Sequence, residues 1–341
     1  MKGLAIAIAL PLVFTAAAEA QTAAPVTTDN FAFAESDLYF GNAIKEAGEL
    51  GKFFHNRAPV DLDKQLVIRM NRDTLYSSAV FDLDAGPVTI TLPNAGKRLM
   101  SLEVISEDHY APMVVYAPTT VTLTRKNVGT RYVMAAVRTL GDPNNPDDLK
   151  EVAALQDAIK VSQPGGPGKF ETPNWNSQQQ KEIRDALLTL AKYNGGFAHA
   201  MGPRGKVDPI RHLIVTAGGW GANPDKDASY ASVTPEKNDG KTIFRMNVPA
   251  KVPVDGFWSI TVYNAKGYFE KNAYDAYSVN NITAKKDADG GVTIQFGGCD
   301  GKIPNCLPIT DGWNYTVRMY RPRAEILAGR WRFPEATPTN P

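Results

Sequence analysis

The chain of 341 residues lacks an excess of either charge and, after its first residues, any long apolar run. Its 37 Lys and Arg residues balance 36 Asp and Glu residues, and no basic run stands out. This balance argues against nucleic acid and against an anionic membrane surface as main partners. No later segment approaches the about 20 apolar residues that a membrane span requires. We therefore expect no membrane span in the mature protein, and the sequence leaves its oligomeric state undefined.

The N-terminal residues have the layout of a secretory signal peptide. Lys2 precedes a short apolar run from Leu4 to Phe14, and Ala18-Glu19-Ala20 fits the small-x-small rule for cleavage. We expect cleavage after Ala20 and a mature protein that is periplasmic or secreted.

Cysteine is scarce, because the chain contains only Cys299 and Cys306. In an oxidising compartment, two such residues favour a disulfide bond. A zinc site is the alternative, but no pattern of His and Cys ligands surrounds them. Their spacing is not C-x-x-C, so a redox motif is unsupported.

The familiar catalytic motifs are absent from the sequence. It contains no G-x-S-x-G, no H-E-x-x-H and no Walker A motif, since Gly240-Lys241-Thr242 lacks the Gly that should stand five residues before Gly240. The glycine clusters at Gly165 to Gly168 and Gly218 to Gly221 do not link a strand to a helix, so we interpret them as loops. We predict neither a cofactor nor a metal site.

Short strand-like runs separated by turns dominate what is present. The 28 Gly and 24 Pro residues favour many turns, which recur about every ten residues between 65 and 139, as in a β-sandwich. The predicted strands are Leu66–Met70, Thr74–Leu83, Val88–Leu92, Leu99–Ile105, Met113–Tyr116, Val121–Thr124, Tyr132–Arg138, Thr242–Val248, Phe257–Tyr263, Tyr277–Val279, Val292–Phe296 and Tyr315–Tyr320. Alternation along the fourth of them places Glu103 on the face opposite the core.

Helical spacing of apolar residues appears in three places. It predicts a first helix over about 36–55 with Ser36 as its cap, a second capped by Asp147 or Asp148, and a third beginning near Ser177. The order strands, helices, strands therefore emerges from the pattern alone.

Several motifs resemble a known pair of families. Asn71-Arg72-Asp73-Thr74-Leu75-Tyr76-Ser77, here called the NRDTLYS motif, and Asp108-His109-Tyr110 resemble the family named domain of unknown function 1254. Asp227-Ala228-Ser229-Tyr230, Gly256 to Asn264, Arg318-Met319-Tyr320 and Gly329-Arg330-Trp331 resemble its usual companion, domain of unknown function 1214. One departure is Cys306-Leu307-Pro308, where the family often has Trp-Leu-Pro, and a disulfide there would replace an aromatic anchor.

The resemblance implies a mainly β fold, with an immunoglobulin-like β-sandwich, a helical connector and a jelly-roll β-sandwich in that order. It implies no agreed activity. The expected divisions are a signal peptide (1–20), a flexible leader (21–34), an N-terminal helix plus immunoglobulin-like β-sandwich (35–145), a helical connector (146–205), a jelly-roll β-sandwich (206–335) and a loose tail (336–341).

The NRDTLYS motif gathers the most reactive side chains and admits two interpretations. In the structural one, Asp73 caps a turn and Arg72 pairs with a buried carboxylate. In the functional one, Thr74 and Tyr76 present hydroxyl groups on one strand face beside Asp73 at the mouth of a cleft. Such a group suits polyol recognition, or acid–base chemistry if burial raises the Asp73 pKa.

Other candidates are spread along the chain. Asp108 and His109 follow a strand and are catalytic candidates, although neighbours on a strand point to opposite faces. His55 is interpreted as a helix-end residue, and His199 and His212 are weaker candidates. Trp258 is either core or a platform for a sugar ring, and Tyr230 and Arg318 are expected at the junction of the two sandwiches.

Three functions are compatible with these observations. The first is an exported hydrolase or lyase with its site near the NRDTLYS motif. The second is a non-catalytic protein that binds carbohydrate or another small molecule. The third is a structural protein of the cell envelope. An enzyme should hold a carboxyl group of strongly shifted pKa in a cleft, whereas a binding protein should expose aromatic side chains in a groove.

The export prediction has a direct test. The intact mass of the protein recovered after export should lack Met1 to Ala20. A full-length mass in the exported fraction would contradict the signal peptide.

Overall fold

A computed structural model describes residues 23–65 and 68–339. The predicted signal peptide and its cleavage site lie outside these residues, as do Leu66 and Val67. The strands are β1 (Phe54–His55), β2 (Thr74–Asp82), β3 (Val88–Leu92), β4 (Met100–Ser106), β5 (Met113–Tyr116), β6 (Thr119–Leu123), β7 (Tyr132–Leu140), β8 (Lys160–Ser162), β9 (Ala228–Val233), β10 (Phe244–Val248), β11 (Trp258–Tyr263), β12 (Ser278–Asn280), β13 (Val292–Phe296), β14 (Cys306–Leu307), β15 (Asn314–Tyr320) and β16 (Thr337–Pro338). The helices are α1 (Phe31–Ala47), α2 (Arg125–Val128), α3 (Pro146–Asp157), α4 (Ser177–Ala191), α5 (Pro209–Gly218) and α6 (Ala324–Leu327).

The first sandwich packs a five-stranded sheet, in the order β1-β2-β7-β4-β5, against a three-stranded sheet, in the order β6-β3-β8. Its inward side chains are aliphatic and aromatic, as period-two alternation requires. Phe81, Ile90, Leu102 and Val137 are among those buried between the two sheets. Glu103 faces away from this core, as predicted.

Helices cover one end of the outer face of the five-stranded sheet. Phe40 of α1 packs there against Val80 and Met134. Leu187 of α4 and Ile214 of α5 pack in turn around the first residues of α1. The other end of the same face is left for the second sandwich.

The second sandwich pairs the four-stranded sheets β12-β11-β15-β9 and β14-β13-β10-β16. Its core contains Trp313, Phe296 and Val317, all essentially inaccessible to solvent. The mainly β fold with a helical connector is therefore confirmed. The domain boundaries given above stay a prediction.

The two sandwiches meet sheet against sheet. Along β15, Val317 and Met319 point into the second core. Arg318 and Tyr320 therefore point outward, and Tyr320 packs with Leu99 and Leu140 of the first sandwich. The outward-pointing side chains of this sheet therefore line a polar junction between the two sandwiches.

Several predicted boundaries were wrong, for local reasons. Helix α1 spans Phe31–Ala47 rather than 36–55, because Gly48 adopts a left-handed conformation that ends it. Ser36 is buried inside this helix instead of capping it. Asn145, rather than Asp147 or Asp148, caps α3 by accepting hydrogen bonds from two backbone N–H groups.

Other elements were misassigned or missed. His55 lies on β1, where its Nδ1 is 2.8 Å from Ser77 Oγ, so its interpretation as a helix-end residue was wrong. In the predicted strand Leu66–Met70, the residues from Ile68 onward form turns. The elements β8, β9 and α5 were not predicted, since their apolar patterns are short or interrupted by polar residues.

Cys299 and Cys306 form the predicted disulfide. We expect a Cys299→Ser and Cys306→Ser double variant to lose about 2.5 kcal/mol of unfolding free energy, because the bridge restricts the unfolded chain. Denaturant titration of both proteins, with and without reductant, measures the loss. Reductant should affect only the native sequence, and labelling of both thiols in the unreduced native protein would refute the bridge.

Candidate functional site

The NRDTLYS motif fastens the first sandwich to the second. The Nδ2 group of Asn71 donates hydrogen bonds to Thr74 Oγ1 at 3.1 Å and to the Tyr320 hydroxyl at 2.9 Å. The Oδ1 of Asn71 accepts the backbone N–H of Asp73 at 2.7 Å. One amide side chain therefore fixes the turn before β2 and joins it to β15.

Asp73 is buried at the same junction. Its Oδ1 accepts a hydrogen bond from Asn280 Nδ2 of β12 at 3.1 Å. Its Oδ2 and the neighbouring Ser259 Oγ are buried without a hydrogen-bond partner within residues 23–65 and 68–339. Asp73 thus bonds to the second sandwich and not to backbone N–H groups, which corrects the structural interpretation of the motif.

Arg318 places a positive charge beside Asp73. Its Nη1 donates to Thr261 Oγ1 at 2.9 Å, and its Nη2 donates to the hydroxyl of Tyr263 and the carbonyl of Arg69, both at 2.8 Å. Burial lowers the pKa of Arg318, but the neighbouring Tyr263 and Tyr320 phenols and Asp73 raise it more. The guanidinium therefore stays charged within the junction.

A second buried guanidinium belongs to Arg138 of β7. Its Nη1 lies 2.5 Å from Glu103 Oε2, and its Nη2 donates to the carbonyl of Gly221 at 2.7 Å. Burial raises the pKa of Glu103 to about 7, against the opposing effect of Arg138. The charge of Glu103 and the nearby phenols hold the pKa of Arg138 well above its usual value, even though burial lowers it.

Three tyrosines surround Arg138, and we call Tyr76, Tyr230 and Tyr320 the phenol cluster. The ring centre of Tyr76 lies 5.4 Å from the guanidinium carbon of Arg138. The Tyr230 hydroxyl accepts a hydrogen bond from Asn223 Nδ2 at 3.1 Å. Tyr76 and Tyr230 retain partial exposure to solvent, whereas Tyr320 is buried.

The environments of these phenols drive their pKa values apart. Burial raises the pKa of Tyr76, but the charge of Arg138 and hydrogen bonds from Thr74 and Arg138 outweigh burial, so the pKa falls below its usual value. Burial raises the pKa of Tyr230, and burial together with the neighbouring phenols raises that of Tyr320 well above normal. Such a separation is typical of groups that act as a base and an acid.

Arg72 and Trp258 lie outside this site. Arg72 donates to the carbonyl of Val60 at 2.6 Å instead of pairing with a carboxylate, and it lies 5.1 Å from the ring centre of Tyr277. Trp258 is buried in the second core beside Phe333. Its position fits the core alternative, so we leave it out of the site.

Asp108 and His109 form a different cluster at the end of β4 and do not contact each other through hydrogen bonds. Asp108 accepts from Ser106 Oγ at 2.6 Å and pairs with Arg204. The Nε2 of His109 accepts the backbone N–H of Gly221 at 2.9 Å, while its Nδ1 lies 2.8 Å from Thr216 Oγ1. Both ring nitrogens are therefore engaged.

Aromatic stacking completes this second cluster. Trp220 stacks on Tyr39 at 4.6 Å and on His109 at 5.2 Å, and His212 stacks on His109 at 5.5 Å and on Tyr110 at 4.1 Å. Burial and the neighbouring His212 hold the pKa of His109 well below its usual range. The His109 ring is thus stacked on two neighbouring rings, and His199 lies apart, near Asp225.

The sequence missed Arg138, Glu103 and Tyr320 as site residues. One signal was available, because Arg138 is the only charged residue in the otherwise apolar stretch Tyr132–Leu140. Within the described ranges, no group of three or more His, Cys, Asp or Glu side chains has an arrangement that could hold a metal ion. None of the described helices is long and apolar enough to cross a membrane.

A pair of carboxyl groups beside the second cluster should make the stability of the fold depend on pH. Asp37 of α1 and Glu107 lie close enough for their charges to interact; burial raises the pKa of Asp37 to about 6, and burial with the charge of Asp37 raises that of Glu107 to about 7. Because folding raises both values, the pair stabilises the fold most below the unfolded pKa values near 4, and this contribution is lost as pH rises through 6 to 7.

The variant Glu107→Gln keeps a side chain of similar size that can donate a hydrogen bond, but its amide group does not titrate. We expect the native unfolding free energy to fall, relative to that of the variant, by roughly 1 kcal/mol between pH 5 and pH 8, after allowance for partial exposure. Urea titrations at both values measure it. Parallel pH profiles for the two proteins would show that the carboxyl pair shares no proton.

Two solved structures share this fold over most of their length. The VPA0106 protein from Vibrio parahaemolyticus matches with a TM-score of 0.69 and 18% identity, covering 92% of this chain and 98% of its own. A putative uncharacterized protein from Burkholderia cenocepacia matches with a TM-score of 0.52 and 13% identity, covering 90% and 86%. At such identities the likeness concerns the fold alone. No curated protein matches the chain.

Two family models match separate segments of the sequence. The model described as a protein of unknown function (DUF1254) matches residues 50–119, which hold the NRDTLYS motif. The model described as a protein of unknown function (DUF1214) matches residues 228–324, which hold Tyr230, Arg318 and Tyr320. The phenol cluster therefore draws on both segments, while Arg138 lies between them, and the two family models match in the order that the motifs predicted.

Proposed function

We propose that this chain is an enzyme of the lyase or hydrolase class that transfers protons to and from a small substrate at the junction of its two sandwiches. The phenol cluster carries the proposal, because two partly exposed tyrosines there have pKa values displaced in opposite directions. General acid–base groups matched to their task in this way typically contribute 10²–10⁴-fold to a rate.

Tyr76 is the base in this proposal, and Tyr230 is the acid. Arg138 stabilises the phenolate of Tyr76, which takes a proton from a carbon next to a substrate carboxylate or carbonyl. The electron pair of that C–H bond forms a new double bond, and the leaving group departs with its own bonding pair. Tyr230 donates its proton to the leaving group, and water then returns the proton from Tyr76 to Tyr230.

The remaining junction residues hold this pair in place. Asn71 links Thr74 to Tyr320, and Asn223 holds the Tyr230 hydroxyl. Asp73 and Arg318 determine the local charge and hold the turn before β2 in position. Asp73, Thr74 and Arg318 are thus positioning residues in our proposal, and Asp108 and His109 take no part in it.

Elimination fits the geometry better than hydrolysis. A hydrolase needs a nucleophile, or a base for water, that the substrate can approach. Asp73 and Glu103 have side chains with no solvent exposure, and His109 has both nitrogens bonded. Tyr76 and Tyr230 retain partial exposure to solvent beside Arg138, and phenols suit proton transfer.

The test uses the mature protein and a panel of β-substituted carboxylates, including oligosaccharides that contain uronic acids. Elimination creates a double bond conjugated to the carboxylate, which is followed by ultraviolet absorbance. We expect Tyr76→Phe to lower kcat/KM by about 100-fold or more without a change in melting temperature. Tyr193→Phe, on the exposed end of the helical connector, should leave the rate unchanged.

The pH profile gives a second readout. The rate should rise with pH as Tyr76 loses its proton, at a pH below the usual tyrosine value, and it should fall once Tyr230 is deprotonated. A folded Tyr76→Phe variant with native turnover would reject the proposal. If no panel compound reacts or shifts the melting temperature, the junction serves to join the sandwiches, as the envelope-protein alternative holds.

A further inference from the structure

A cleft of about 270 Å³ lies beside the disulfide, away from the phenol cluster. Its lining includes the loop closed by Cys299 and Cys306, and Asn144 from the loop after β7. The apolar side chains of Val279 and Leu307 lie at its base. The cleft therefore takes residues from both parts of the chain, at the outer edge of the junction.

Tyr274 presents an exposed ring in this cleft. The residue is 45% exposed, although two hydrogen bonds fix its position. The hydroxyl donates to the carbonyl of Cys299 at 3.0 Å, and the backbone N–H donates to Asn272 Oδ1 at 3.1 Å. A side-chain carbon at Gly301 would lie 3.2 Å from the ring, so glycine lets the disulfide loop lie close against it.

The other polar lining groups are almost all neutral. Asn144 and Ser278 offer an amide and a hydroxyl group, and Asp275 adds one carboxylate, whereas the Thr283 hydroxyl already donates to Asn280 Oδ1 at 3.2 Å. Neither lysine nor arginine lines the cleft, which disfavours an anionic ligand. An aromatic ring suits the apolar face of a sugar, while amides and hydroxyls suit its hydroxyl groups.

We propose that this cleft binds a neutral saccharide, with one sugar ring stacked on Tyr274 and its hydroxyl groups bonded to Asn144 and Ser278. The site goes beyond the proposed enzymatic function and does not depend on it. In the sheet β12-β11-β15-β9, the cleft borders β12 while Tyr230 lies on β9. Tyr320 lies on β15, so two to three strand spacings of about 4.8 Å each separate the cleft from the tyrosines of the phenol cluster on this sheet.

Saccharide binding is tested by calorimetric titration of the mature protein with maltotriose, cellotriose and chitotriose. At least one of these should bind the native protein. Tyr274→Ala should weaken that binding by about tenfold or more, the loss expected when an aromatic anchor is truncated. Tyr193→Ala is the matched control, because Tyr193 is 85% exposed and lies on the helical connector.

Two further variants sharpen the outcome. Tyr274→Phe keeps the ring and loses only the bond to Cys299, so it should bind within about threefold of native affinity, a difference under 1 kcal/mol. Tyr76→Phe should bind as the native protein does, which separates this site from the phenol cluster. The absence of binding by all three trisaccharides, or equal binding by native protein and Tyr274→Ala, would overturn the proposal.

Discussion

The charge of Arg138, held where water has little access, is the constraint on which the junction depends. A buried guanidinium is costly unless its donors find acceptors, and Arg138 meets this need with Glu103 from its own sheet and with the carbonyl of Gly221 from the segment before β9. The second contact means that the first sandwich cannot satisfy Arg138 alone. The charge of Arg138, which belongs to the first sandwich, is therefore compensated in part by the second half of the chain.

Stability alone does not account for so many buried polar groups. Replacing a buried ion pair with apolar side chains of similar volume is often neutral or stabilising, so the pair of Arg138 and Glu103 is weak evidence for a stabilising role. Buried ion pairs do give specificity in some proteins, and here polar side chains hydrogen-bond across the junction at defined positions. The same charges also lower the pKa of Tyr76, which burial in a purely apolar junction would raise above its ordinary value.

The sequence predicted local structure far better than it predicted the site. Alternation correctly placed Glu103 outside the core and set most strands of both sandwiches, because the two-residue period is a local property. The ends of α1 were wrong because Gly48 and the packing of Ser36 depend on their surroundings. The meeting of Arg138 with Tyr230 could not be predicted, since it depends on how two sheets far apart in the chain are docked.

The density of polar side chains in the NRDTLYS motif indicated only part of the candidate site, for the same reason. It identified Asp73 and Tyr76, which do lie at the junction, but it could not distinguish a buried carboxylate that holds Asn280 from a phenol that reaches solvent. The sequence places His109 beside Asp108, but it could not show that the His109 ring stacks between Trp220 and His212.

The hydrogen bonds from Asn71 to Tyr320 and from Arg318 to the carbonyl of Arg69 have an evolutionary consequence. Each joins a residue of the DUF1254 segment to one of the DUF1214 segment, so neither segment presents a complete surface without the other. Recombination that exchanged one segment for that of a distant relative would mismatch donors and acceptors in a buried interface. Selection should therefore keep the two segments on one chain and let them diverge as a unit.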